Sequence, residues 1–344
     1  MYRTVVAVLM LAVPLVACGA DRTPASAPER ETLLARTGDS LVALDARSGR
    51  LLERVALGAH DASFAAVYTA AHDAGAGTTT VTATDPVSGK PLRSIELPGR
   101  WDVPVAAGTT PEGAVSGDGE LLMLAGPSSE RVSRFALIGT DLDAQPQRFS
   151  LRGRYDFDAL APDGSAVYLS EIRADGHYRV RAYDVATGHL RPQVIVEKTA
   201  VGLLMQGKPV TRAVDPTGSP VHTLYRGGPA GAFVHSLDTQ HGTALCILLP
   251  DSERAGPHWR LALDAQYGQL HALNRDLDAH YLIDPATGEV TPAQPGTPLP
   301  GLRDGTRTYA IEPGGAIAVR DSAGERIARL PAPSPEAQLV AVRR

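Results

Sequence analysis

A chain of 344 residues is longer than one hydrophobic core usually serves, unless that core is divided among repeats that each pack on their neighbours. Hydrophobic residues make up 43%, ample for a globular core, and 34 Gly with 27 Pro fit many turns. The formal net charge of −5, with Arg and acidic residues interspersed, argues against the clustered basic face that nucleic-acid binding requires.

Residues 1–17 carry Arg3 and then an apolar run over 4–16, too short for the roughly 20 residues of a spanning helix and of the length of a secretory leader. The run ends in Leu15-Val16-Ala17-Cys18, which resembles the lipobox of bacterial lipoproteins at every position. The resemblance implies cleavage before Cys18, a diacylglyceryl thioether on its sulfur, and attachment to the cell membrane on its outer side. Residues 18–30 are small, polar and proline-containing, and read as a tether; the fold is expected in 31–344.

From 31 onward one pentapeptide keeps returning: 45–49 (DARSG), 85–89 (DPVSG), 184–188 (DVATG) and 284–288 (DPATG), with relaxed copies at 238–242 and 321–324 and a poorly formed one near Asp141. Asp bonds its own backbone two residues on, Ser or Thr does so more weakly, and Gly supplies the positive φ that closes the turn, so each copy predicts a hairpin corner. The flanking runs, such as 40–44 and 51–57, have the length and branched content of strands. The corners recur at about the 40 to 50 residues of one four-stranded propeller blade, which predicts an all-β, seven-bladed propeller, with six or eight blades as the neighbouring counts.

Taken in order, the first unit has strands over 32–36, 41–44 and 51–57, and so lacks one strand. The orphan run 338–342 (QLVAV) at the other end of the chain is expected to complete it and close the ring. The second unit covers 65–97 and is followed by a long connector, 98–113. A second kind of turn, Asp-Gly, appears in the third and fourth units at 117–119 and 162–164. The fifth unit spans 210–249, the sixth begins at 258–260, and the seventh, 306–330, reads as three strands like the first. The stretch 159–196, with its Pro-Asp-Gly turn, aliphatic-Tyr strand and Asp-x-x-Thr-Gly corner, resembles the YVTN-type propeller repeat, a relative in shape of WD-repeat blades. That resemblance implies the fold and is nearly silent on function.

No motif carries chemistry at suitable spacing. There is no HExxH, no CxxC, no nucleophile elbow and no phosphate loop, so neither a catalytic set, a cofactor nor a metal is assigned. His222 and His235 fall in one unit, where alternating strand faces could bring them together or leave them as ordinary strand residues. Cys246, in an apolar strand, reads as a buried small hydrophobe. Binding is expected at the connectors between blades, and the anchors suited to it are Trp101, Arg154, Tyr155, Arg212, His258 and Trp259, because aromatic and Arg side chains dominate binding hot spots. For either Trp, packing between blades is the plainer reading. The sequence is thus read as a membrane-anchored extracytoplasmic binding or scaffold module for a protein or small ligand. The alternative is a propeller enzyme of lactonase-like or quinoprotein-like type, although the Trp-marked blades and vicinal cysteines that mark quinoproteins are missing.

Overall fold

The computed structural model describes residues 31–344 except 109–110, 175–176, 196–206, 229–230, 251–257, 265, 275–278, 295–296, 298–299, 313–314 and 335. The expected leader, Cys18 and the tether lie outside the described residues. Residues 31–344 form one compact unit.

The seven sheets are the seven blades of a propeller, each antiparallel and each ordered from an inner strand to an outer one. Blade 1 is Gln338–Arg343, Thr32–Thr37, Ser40–Asp45 and Leu51–Ala56. Blades 2 and 3 have three full strands, Val67–Asp73, Thr78–Thr84 and Pro91–Pro98, then Leu121–Ala125, Val132–Gly139 and Gln147–Arg152. Their inner strands shrink to bridges, Ala59 with Tyr68 in blade 2, and Asp102 with Ala125 and Val115 with Leu122 in blade 3. Blade 4 is Arg154–Leu160, Ala166–Ile172, Tyr178–Asp184 and His189–Val194, and blade 5 is Lys208–Val214, Val221–Gly228, Gly231–Asp238 and Thr243–Leu248. Blade 6 runs Trp259–Asp264, Gln269–Asn274, Ala279–Ile283 and Val290–Pro292, and blade 7 runs Leu302–Asp304, Arg307–Ile311, Ala316–Arg320 and Arg326–Pro331. The seventh unit therefore has four strands and not three; its inner one is so short that no strand period shows in the sequence.

Ring closure is as expected. Gln338–Arg343 pairs antiparallel with Thr32–Thr37, from Thr32 opposite Arg343 to Arg36 opposite Gln338. The last strand of the chain is the innermost of blade 1, so the edge of Thr32–Thr37 is covered.

Every Asp corner joins the third strand of its blade to the outer one. In the first, Asp45 Oδ1 accepts from the Ser48 amide at 2.9 Å and the Ser48 hydroxyl at 2.9 Å, and Gly49, at φ 70°, donates to the Asp45 carbonyl at 2.8 Å. Asp184 repeats this with Thr187, and these bonds together with Arg191 hold its carboxyl down at about 2. The poorly formed third corner closes with Leu142 in the left-handed region, φ 57°, where the other corners place glycine.

Blades stack on one another by both faces, so second and third strands are more deeply buried than the outer strands. Ser40–Asp45 is buried from Leu41 to Leu44, whereas Leu51–Ala56 alternates between exposed and half-buried. The apolar clusters lie between blades: Leu34 and Ala43 with Val67 between blades 1 and 2, Tyr168 and Val180 with Phe233 between 4 and 5, Leu33 and Val42 with Tyr309 between 7 and 1. Burying a side chain such as fully enclosed Phe233 contributes roughly 1.5–3 kcal/mol.

Candidate functional site

The alternation of strands sets two faces. One carries the turns between first and second strands and the Asp corners; the other carries the inter-blade connectors. On the connector face the inner strand of blade 3 is interrupted. The chain leaves the sheet after Asp102, whose amide donates to Ala125, and re-enters at Ala114, whose carbonyl accepts from Met123. The described residues of the intervening segment reach blades 5 and 1. Gly108 donates to the Pro209 carbonyl of blade 5 at 3.5 Å, so close that a Cβ there would stand 2.8 Å from the Val210 oxygen. At the loop's far end Glu112 forms an ion pair with Arg36 of blade 1 at 2.5 Å, and its carbonyl accepts from Arg212 of blade 5 at 3.3 Å.

Beneath this loop lies a cavity of about 980 Å³. Its walls come from the inner strands of blades 5, 6, 7 and 1, Arg303 among them, and its mouth from first-to-second-strand turns and the last Asp corner, including Asp61, Asp215, Tyr267 and Asp321, with Asp264 at the end of its strand. Blade 4 contributes no lining residue among those described. The reason is a contact across the axis: the turns of blades 3 and 5 meet where Gly117 touches Thr217, leaving so little room that a Cβ on Gly117 would lie 2.2 Å from the Thr217 oxygen. Asp118 also donates its amide to Pro162 of blade 4 at 2.9 Å. Three turns thereby close one side of the mouth.

The floor is polar. Arg212 is fully enclosed and its guanidinium is consumed within the protein: Nε donates to Thr223 Oγ1 at 3.0 Å, Nη1 to the Glu112 and Asp158 carbonyls, and Nη2 to Asp158 Oδ1. Asp158 is the extra residue of a bulge between Phe157 and Ala159, and that bulge aims its side chain from blade 4 at blade 5. Arg36 is held between Glu112 and Gln338. Half-buried His60 stacks on Phe64 with ring centroids 3.8 Å apart, and its Nδ1 lies 3.0 Å from the Asp61 carbonyl. A carbonyl only accepts, so Nδ1 carries the proton and the Nε2 lone pair is left for the cavity. Burial pulls the His60 pKa down, opposed first by the charge of Glu112.

Of the residues expected as anchors, only Arg212 lines the cavity. Trp101 is buried between blades 2 and 3, donating Nε1 to the Pro98 carbonyl at 3.0 Å with Arg148 over its ring at 5.4 Å. Trp259 is buried beside Tyr281, and Tyr155 is buried with its amide on Ser133 Oγ at 2.8 Å. Arg154 pairs with Glu130 at 3.3 Å on the surface, and His258 is exposed away from the cavity. Both Trp residues thus pack between blades. The register pairs Thr223 with His235 and His222 with Ser236, so His222 and His235 lie on opposite faces of blade 5 and cannot share a metal. Among the described residues no three His, Cys, Asp or Glu side chains are placed to hold one. Cys246 is buried with its sulfur 3.6 Å from His235 Nδ1.

His60, Asp61, Glu112 and Tyr267 were not singled out by the sequence. The signal that could have found His60, Asp61 and Tyr267 is the Asp recurring at first-to-second-strand turns, 60–63, 116–119, 215–218 and 264–268, which reads as turn chemistry until the ring brings those turns to one mouth; no such signal marks Glu112.

No protein-family profile matches the chain, and no curated protein matches it either. Solved structures do. A candidate 6-phosphogluconolactonase from Bacteroides uniformis superposes with a TM-score of 0.51 at 14% identity, over 92% of this chain and 99% of that one. A second, from Bacteroides fragilis, gives 0.51 at 14% over 93% and 99%. A functionally unknown protein from Desulfotomaculum acetoxidans gives 0.51 at 10% over 89% and 98%. At these identities the likeness is one of fold.

Proposed function

We propose that this chain is a membrane-anchored extracytoplasmic lipoprotein whose propeller binds a small ligand in its axial cavity. The observation that carries the reading is the cavity itself: about 980 Å³, bordered on the connector side by Glu112 and entered past the turns. Its volume fits the range of small-molecule sites, and its polar groups sit on a rigid ring. Leu15-Val16-Ala17-Cys18 supports the anchor. On this reading the ligand enters on the turn face, opposite the connector face that the sequence suggested.

Two experiments test it. Palmitate labelling of cells producing the full chain is expected to mark the protein and to vanish in Cys18→Ala; labelling that survives the substitution refutes the anchor. Ser322→Trp places a bulky ring at the exposed mouth without touching the core. A thermal-shift screen of small molecules is expected to give ligands that stabilise the parent and not this variant, and ligands indifferent to it would move the site elsewhere.

One observation favours a second reading, a lactonase-like hydrolase. His60, with its Nε2 lone pair uncommitted, lies beside Glu112 and Arg36 at the cavity, and a neutral imidazole so placed can act as the general base for hydrolysis of a neutral ester. Turnover of simple δ-lactones by the parent, lost in His60→Gln with the melting temperature unchanged, would decide for it.

A further inference from the structure

The hydrogen-bonding inventory of the cavity is lopsided. Four lining carboxylates, Asp61, Asp215, Asp264 and Asp321, have no cationic partner among the described residues, while Glu112 is neutralised by Arg36 and Arg212 by Asp158. Against those four stand two guanidiniums, Arg303 and Arg320, and Arg320 already donates to the Gly324 carbonyl at 3.0 Å. The cavity thus carries a formal excess of two negative charges.

The turn chemistry leaves half of each of three carboxylates uncommitted at the cavity. Asp215 uses Oδ1 for its own turn, accepting from the Thr217 amide at 2.9 Å, and Asp264 uses Oδ1 for the Gln266 amide at 3.1 Å. Asp321 Oδ1 takes the Ala323 and Glu325 amides at 3.0 and 2.9 Å. In each case Oδ2 has no donor among the described residues. At the floor His60 Nε2 adds another acceptor, and at the mouth Tyr267, 67% exposed, offers an open aromatic face. An anionic ligand would need a convergent guanidinium fork, and the buried one, on Arg212, is taken up by Thr223, Glu112 and Asp158.

We propose that the ligand of this cavity is an organic cation rich in N–H donors, a primary amine or polyamine, held by the outer oxygens of Asp215, Asp264 and Asp321 with the Tyr267 ring beside it. This rests on the cavity being the ligand site. It also separates the chain from the candidate 6-phosphogluconolactonases that share its fold, since a phosphorylated sugar would meet an acceptor-lined, negative mouth.

The test is titration calorimetry of the full chain in detergent with spermidine, 6-phosphogluconate and glucose as probes. Asp215→Asn and Asp264→Asn keep the Oδ1 acceptor that closes each turn and remove the charge, so they isolate recognition from folding. Spermidine is expected to bind saturably, to weaken about tenfold in the double Asn variant and further at high salt, and to tighten in Arg303→Gln. Binding of 6-phosphogluconate in preference to spermidine, lost in Arg303→Gln and abolished by Ser322→Trp, overturns the cation and leaves the cavity as the site. Equal binding of glucose, indifferent to the Asn substitutions, overturns the cation as well. Spermidine binding that Ser322→Trp does not change overturns the cavity reading itself.

Discussion

The buried ion pair between Asp158 and Arg212 joins three blades at the cavity floor, and its removal from one side should be among the costliest single changes in the protein. Side-chain exposure is 0% for Arg212 and 2% for Asp158, so neither charge is hydrated. In Asp158→Ala the guanidinium keeps the Asp158 and Glu112 carbonyls and Thr223 but loses its only carboxylate, and an uncompensated buried charge costs about 3–5 kcal/mol. At roughly 2 °C per kcal/mol for a domain of this size, the melting temperature should fall by about 6–10 °C. The double variant Asp158→Ala with Arg212→Met removes both charges and fills the space, and should recover most of that loss, because apolar replacement of a buried pair is often neutral. Differential scanning calorimetry of parent, single and double variants measures both steps. A single variant within about 2 °C of the parent, or a double variant no better than the single, would refute the reasoning.

Two further outcomes follow from burial and ring closure. His222 and His271 are both held down to about 4, desolvation being the first cause in each, with His280, 2.9 Å away through its Nε2, adding to it for His271. A lowered folded-state pKa means that the unfolded chain takes up protons first, so stability should fall as pH drops from 6.5 towards 4, by up to about 2 kcal/mol per histidine between pH 6.5 and 5; urea unfolding at pH 7 and 5 measures this, His222→Leu should flatten the slope, and a pH-independent midpoint would contradict it. Deleting 337–344 removes the inner strand of blade 1 and bares the Thr32–Thr37 edge. The shortened chain should elute from a sizing column as aggregate and return to monomer when a peptide of 337–344 is added, and a soluble monomer without the peptide would show that closure is dispensable.

The blade count was legible because it rests on local chemistry: Asp45, Asp184 and Asp284 each bond their own next residues, and such a turn forms wherever the pentapeptide occurs. The complementing strand was legible too, because 338–342 is apolar with no partner nearby in the chain. The inner strand of blade 7 was not, since Leu302–Asp304 is too short to show a period. Where the expected anchors sit was not legible. Trp101 and Trp259 are large and apolar, and in a stack of blades that property is used for packing before it is used for ligands.

The sequence by itself determined an all-β ring of seven corner-marked blades and, through Leu15 to Cys18, the expectation of an anchor. Which residues meet at the axis was decided only by the tertiary structure. Arg36 reaches Glu112, Gly117 abuts Thr217, and Asp61, Asp215 and Asp264 turn towards one mouth although long stretches of chain separate them. Turn and strand preferences act between neighbours in the chain, whereas a cavity is made by side chains that only the closure of the ring brings within reach.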